Sequence, residues 1–302
     1  MNDKLGLLGA VLVVQLLVVA ALVIDDALGS AATAPSLLSF DPDEVVKFNV
    51  STLEDSVHLY KDEHGWHLDD DLPADDAKVG KVLDKLANVS APWPVATSSD
   101  SAERFEVTET NFQRRLVLES TEATLADLML GTSPGYRRVH VRAEGEDEVY
   151  SVDFSNYEVP IDIDQWLDKT LLQASGTISR LALEASWQLA NEDEGWLIDG
   201  IAADQETASD LIDRFADLRV LGVGEASGEL KGTFIVTDAS GEHRLQMFHE
   251  AEEDDYYVTS DRVPGRFEIA TYIAEQMLVE SSELLPDVAD DDESGADADT
   301  DG

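Results

Sequence analysis

The chain has 302 residues, 43% hydrophobic and 28% charged, and its 64 acidic against 20 basic residues give a net charge of −44. It contains no cysteine, which excludes a disulfide scaffold, a cysteine nucleophile and any metal centre built on thiolates. The charge argues against nucleic acid, whose phosphates have to be neutralised by Lys and Arg, while the apolar share is too high for a fully disordered chain.

The first element is an apolar run, Leu5 to Ile24, of 20 residues with no charge and Gln15 as its one polar side chain. At about 1.5 Å of helical rise per residue it matches a hydrocarbon core of about 30 Å. It is longer than the roughly 7–15 apolar residues of a signal peptide. That favours an uncleaved anchor, although Ala27, Gly29, Ala31 and Ala32 leave cleavage open. Lys4 precedes the run and Asp25 and Asp26 follow it, so residues 1–29 read as a cytoplasmic stub and transmembrane anchor. The rest of the chain is then expected on the extracytoplasmic side of an inner membrane. Gln15 is either a tolerated polar residue or a contact to another membrane helix.

Residues 30–173 and 174–285 read as two tandem similar units. Leu59, Trp66 and Leu68 recur as Leu189, Trp196 and Ile198 at a constant spacing, and each Trp follows a Gly, Gly65 and Gly195, after an acidic turn. That pattern is a hairpin followed by a strand. Next, Val79, Val82, Leu83 and Leu86, and again Ala208, Leu211, Ile212 and Phe215, fall at i, i+3, i+4 and i+7. The spacing predicts one apolar stripe on each of two helices. Asp75 and Asp204 suit their N-caps, and Pro92 and Gly222 lie just beyond their ends. Alternating runs follow in each unit: Leu116 and Leu118, Leu128 and Leu130, Val139 and Val141 in the first, Phe234 and Val236, Leu245 and Met247 in the second. Short helices are expected to close the units, over Ile163–Leu172 and Thr271–Leu278. The fold class is therefore α+β, each unit an antiparallel sheet packed by a helix. Residues 286–302 hold eight acids and no large apolar side chain beyond Val288, and are expected to be disordered.

Chemistry is sparse. No GxSxG, HExxH or phosphate-binding loop is present, and Gly222, Gly224 and Gly228 have the wrong spacing for a dinucleotide loop. Of the six histidines, His58 and His140 fall on strands, and His64 and His67, three apart across a turn into a strand, do not converge as ligands. Asp69-Asp70-Asp71 reads as a solvated turn before it reads as a calcium site, and the final Asp297–Gly302 begins a calcium loop without completing one. Arginine is uneven: Arg104, Arg114, Arg115, Arg137, Arg138 and Arg142 are six of the twelve. Arg138, His140 and Arg142 alternate with Val139 and Val141 and so share a strand face. They either pair with surrounding acids or form a docking face for a partner or for anionic head groups. Lysine is scarce, with eight residues, and acids spread along the whole chain, as in proteins that face high external salt.

The stretches LLSFDPDEVVKFNV, Gly65-Trp66-His67-Leu68, LPADDAKVGKVLDKLANV, LADLMLG and RRVHVRAEGEDEVYSV, following an apolar N-terminal run, resemble the domain of unknown function family 4340 over about Leu37 to Leu285. That resemblance implies a membrane-anchored bacterial protein often encoded beside subunits of a gliding-motility-type ABC transporter. It implies no active site. The expectation is a non-catalytic accessory or interaction subunit without metal or cofactor. Its partners would be permease subunits, and its candidate contacts Gln15, Arg138 and Arg142. Its oligomeric state stays open. The alternatives are an envelope hydrolase with an unidentified carboxylate site and a calcium- or salt-stabilised surface domain.

Overall fold

The computed structural model describes residues 36–91, 93–224 and 228–286. The apolar run Leu5–Ile24 with Gln15, the helix-stop Pro92 and the acidic stretch from Asp287 lie outside the described residues. Among the described residues no helix is long and apolar enough to cross a membrane. The architecture is α+β, mostly antiparallel sheet with few helices. Contacts divide it into two compact units, one holding residues up to Asp62 and Ala77–Ile161, the other Glu63–Asp76 and residues from Asp162 onward.

Among the described residues the first strands are β1 (Lys47–Ser51) and β2 (Ser56–Asp62), followed by β3 (Gly65–His67) in the segment belonging to the second unit and by α1 (Asp76–Ala87). Then come α2 (Ser99–Arg104), the short pair β4 (Val107–Thr108) and β5 (Asn111–Phe112), and β6 (Arg114–Glu119), β7 (Thr124–Leu130), β8 (Val139–Ala143) and β9 (Tyr150–Val152). In the first unit the strands pair antiparallel in the order β2-β1-β6-β7-β8-β9. The register sets Phe48 opposite both Leu59 and Leu118, and Val139 opposite Val152. Residues two apart share a sheet face, so Phe48, Val50, Leu116, Leu118, Leu128 and Leu130 form one buried apolar layer. The α1 stripe of Val79, Val82, Leu83 and Leu86 is buried as its spacing predicts.

The opposite face of this sheet is not fully open to water. Ala102 of α2, Val107 of β4, Met129 of β7 and Val149 form a second small core, with Ala96, Phe105 and Phe112 packed against it. Val139, His140 and Val141 of β8 are consequently buried in succession, which alternation alone does not foretell.

The second unit continues with β10 (Arg180–Leu183), β11 (Trp187–Glu192), β12 (Gly195–Ile198), β13 (Ile201–Ala202), α3 (Gln205–Ala216), β14 (Val220–Val223), β15 (Glu229–Asp238), β16 (Gly241–Glu250), β17 (Asp255–Ser260), β18 (Arg266–Ile269) and α4 (Thr271–Met277). Its nine strands run in the order β13-β12-β11-β10-β15-β16-β17-β18-β14. Asp204 caps α3 by accepting from the Thr207 N–H at 2.8 Å, and Ala208, Leu211, Ile212 and Phe215 are buried. Phe215 meets Phe234 of β15 edge-on at 4.9 Å, which seats the helix on the sheet.

Each Gly-Trp pair serves the start of a helix. The Trp66 N–H donates to Asp76 Oδ1 at 2.7 Å, and the Trp196 N–H to Gln205 Oε1 at 2.8 Å, with Gln205 Nε2 returning to the Trp196 carbonyl at 2.9 Å. Gly65 and Gly195 have φ of +129° and +114°, and a Cβ there would sit 2.7 and 2.4 Å from those same side chains' oxygens. Glycine is thus required twice over, by conformation and by space. The helix expected over Ile163–Leu172 is instead a single 3-10 turn, Ile163–Gln165, with Trp166 fully buried after it. Asp162 accepts from the Asp164 N–H, and Asp168 accepts from both the N–H and hydroxyl of Thr170. Asp162 thereby caps the start of the 3-10 turn, while the Asp168 bonds compete with helix formation and stop its continuation.

Candidate functional site

Four of the six arginines singled out in the sequence gather at one end of the first unit's sheet. Antiparallel pairing puts the start of β6, the end of β7, the start of β8 and the end of β9 at that end. Arg104 ends α2, Arg114 opens β6, and Arg137 and Arg138 lie in the connection from β7 to β8. The Thr132 N–H donates to the Phe105 carbonyl at 2.9 Å, and Asn156 Nδ2 donates to the Gly131 carbonyl at 3.1 Å, tying these segments together. Arg138 is exposed and donates to the Ser151 hydroxyl at 3.0 Å and to the Ser151 carbonyl. Arg114 Nε donates to the Val159 carbonyl at 3.1 Å. Arg104 lies over Phe105 and Arg137 over Tyr136, at 4.7 and 5.2 Å from the ring centres. Among the described residues none of the four has a carboxylate as ion-pair partner, in a chain with 64 acids. Nearby acids are engaged elsewhere: Glu158 with Lys85 at 2.7 Å, Glu106 with Gln113 at 2.7 Å. Tyr136 and Tyr157, 86% and 94% exposed, project at the same end.

Arg138, His140 and Arg142 do not form one open face. Arg142 is drawn inward, donating through Nε to the Val107 carbonyl at 2.6 Å and through Nη1 to the Glu146 carbonyl at 2.8 Å. It holds the β4–β5 cover in place. His140 is buried, stacked on Phe105 at 4.1 Å and 2.9 Å from the Thr132 hydroxyl. Burial, with the Arg104 and Arg138 charges behind it, pushes its pKa down. Arg115 binds Asp127 through both guanidinium arms, at 2.8 and 2.6 Å. The sequence signal for the exposed end is the run Leu128–Ala143, which contains three arginines and no acid.

Asp69–Asp71 form a 3-10 turn, and His67 Nδ1 stands 3.6 Å from Asp71 Oδ1. Among the described residues no three His, Asp or Glu side chains converge as a metal site would require. Gly222 lies in the edge strand β14, where a Cβ would meet the Asp164 carboxylate at 2.3 Å.

The second unit holds a buried polar network that no sequence motif marks. Asp238, at the end of β15, has a fully buried carboxylate. It accepts from Arg262 Nη1 and Nη2 at 3.0 and 2.9 Å, from the Ser175 N–H at 2.7 Å, and from the Ser240 N–H and hydroxyl at 2.8 and 2.7 Å. The guanidinium, above all, holds this carboxyl far below the usual range despite burial. His243 Nδ1 lies 3.9 Å away and makes no hydrogen bond among the described residues. A general acid needs its proton, and this carboxyl is arranged to stay ionised. Glu268 is shifted the other way, raised by partial burial and by Asp255 and Asp164. In 64 acids, nothing local distinguishes Asp238; its burial is a property of the fold.

No curated protein and no solved structure shows a significant match to this chain. One family model, described as Domain of unknown function (DUF4340), matches residues 66–233, more than half of the sequence and parts of both units, and the chain belongs to that family.

Proposed function

We propose that the protein is a membrane-anchored, extracytoplasmic and non-catalytic accessory or interaction subunit of an ABC-type transport system, built from two copies of one α+β unit. The observation that carries the interaction reading is the arginine–tyrosine end of the first unit. Four guanidinium groups without carboxylate partners among the described residues, three of them exposed, stand beside two almost fully exposed tyrosines and keep a local cluster of positive charge in a chain of net charge −44. Tyr and Arg are the residue types that dominate binding surfaces. The apolar run Leu5–Ile24 supports the anchor and Gln15 a contact within the membrane. Such a tether raises the local concentration of the domain at a permease.

Three features support the duplication. The strand order β2-β1-β6-β7-β8-β9 is matched by β11-β10-β15-β16-β17-β18. Both Gly-Trp pairs bond to the first residue of a helix. Both residues before those helices, Asp75 and Asp204, donate their N–H groups to a carbonyl at a later 3-10 turn, Trp166 and Leu284, at 2.7 and 2.8 Å.

Crosslinking in cells, followed by purification from solubilised membranes and mass spectrometry, tests the reading. Permease and ATPase subunits are expected with the full chain and reduced at least fivefold with the pair Arg137→Glu and Arg138→Glu. Their absence from the wild-type sample overturns the transporter reading; unchanged recovery with the variant removes the arginine end from it.

A further inference from the structure

The second unit contains a cleft of about 730 Å³ that none of the above uses. Its floor is the half-buried Ile273 over the buried Leu218 and Val220, and two exposed apolar side chains, Leu221 and Tyr272, stand at its margin. Its walls carry opposite charges. Asp210, Asp213 and Asp217 come from α3 and its end, at i, i+3 and i+7 on one helix face. Arg219 comes from the approach to β14. Lys169 also lines the cleft, but its ammonium is fixed on the Leu221 carbonyl, and Arg214 is fixed on Gln276 Oε1 at 3.0 Å. Arg219 and the three aspartate side chains, by contrast, have no hydrogen-bond or ion-pair partner among the described residues.

Opposite charges that line one cleft without pairing remain available to a ligand. A simple cation finds acids over the whole surface of this chain and needs no cleft. A simple anion is repelled by the aspartate wall. A molecule that satisfies floor and both walls has an apolar body, a cationic group and a carboxylate. The volume lies in the range of sites that enclose small ligands. We propose that this cleft binds short apolar peptides with both termini free, the α-carboxylate on Arg219, the α-ammonium on the Asp213 and Asp217 side, and the side chains on Ile273, Leu221 and Tyr272. The binding does not depend on the transporter reading, and its test is separate.

The test is calorimetric titration of the full chain in lipid nanodiscs with alanyl-leucyl-alanine, with empty nanodiscs as the blank. Saturable binding is expected. Amidation of the peptide carboxyl and the substitution Arg219→Gln are each expected to weaken it at least tenfold. The two together should weaken it no further, because they remove the same contact. N-acetylation and Asp213→Asn with Asp217→Asn should behave as a second such pair, and Tyr272→Ala should weaken all peptides alike. These positions are exposed, so thermal melting checks that the variants remain folded. Absence of saturable binding overturns the proposal. So does binding that survives capping of both termini, which would mark the cleft as a groove for a protein segment, and so does binding indifferent to Arg219→Gln.

Discussion

His243 sits in the second unit with 3% of its side chain exposed, facing Asp238 and Arg262 with Asp261 nearby. Burial pushes its pKa down first, and the Arg262 charge adds to this; Asp238, Asp261 and the Gly241 backbone oppose but do not reverse it. His140 in the first unit is shifted the same way. The native state therefore holds both rings neutral at a pH where the unfolded chain, titrating near 6.5, already takes up protons. Where the unfolded state binds more protons, stability rises with pH. The expected result is a loss of stability as pH falls below about 6.5, at up to about 1.4 kcal/mol per pH unit for each histidine. Chemical denaturation between pH 7.5 and 5 measures it, and His243→Gln should flatten the profile. A flat wild-type profile would show that neither ring is held neutral. Asp238 acts in a lower window: its depressed pKa contributes stability above the ordinary carboxylate range and loses it only in stronger acid. Asp238→Ala leaves Arg262 without its partner and should cost about 3–5 kcal/mol at neutral pH.

Gly195 and the start of α3 form one device at the scale of elements. Gly195→Ala forces a Cβ against Gln205 Oε1 and a left-handed φ on alanine at once, so a destabilisation of about 1–3 kcal/mol is expected, while Gly200→Ala, with open space around it, should cost less. Asp204→Ala removes only the cap and should cost about 0.5–2 kcal/mol. Equilibrium unfolding of the three variants ranks them; equal losses would mean that the close approach at Gly195 is not a constraint. The sequence shows this device well, because its parts are local: a glycine before a tryptophan, a cap, and an apolar stripe with helical spacing. The back cover of the first sheet is not visible in it. Its apolar groups, Ala96, Phe105, Phe112 and Met129, are scattered over more than thirty residues and have no period. Arg142 reads as an exposed strand residue, but that cover supplies the Val107 carbonyl that turns its guanidinium inward. Asp168 explains why no helix continues past the turn at Ile163, yet one aspartate among so many carries no weight until its bonds are seen.

For the whole molecule the charge of −44 outweighs any single contact. Well-placed pairs such as Arg262–Asp238 and Arg115–Asp127 neutralise particular buried carboxylates, but with 20 bases for 64 acids most carboxylates face others of their kind. Such self-repulsion favours the expanded chain. Added salt screens it: the Debye length falls from about 10 Å at 0.1 M to about 3 Å at 1 M, less than the spacing of most surface charges. Each kcal/mol of repulsion removed raises the melting temperature of a domain of this size by roughly 2–4 °C. The melting temperature should therefore climb by several degrees from 0.1 to 1 M NaCl, with KCl equivalent at equal ionic strength. Calcium separates two causes of that climb. If general screening acts, millimolar CaCl₂ does no more than its ionic strength predicts. If a carboxylate cluster binds the ion, stability rises by mass action at concentrations too low to screen anything, and saturates. A saturating calcium response without a sodium response would replace screening by a specific site; a melting temperature indifferent to both would mean that the acids are spaced widely enough for water alone to separate them.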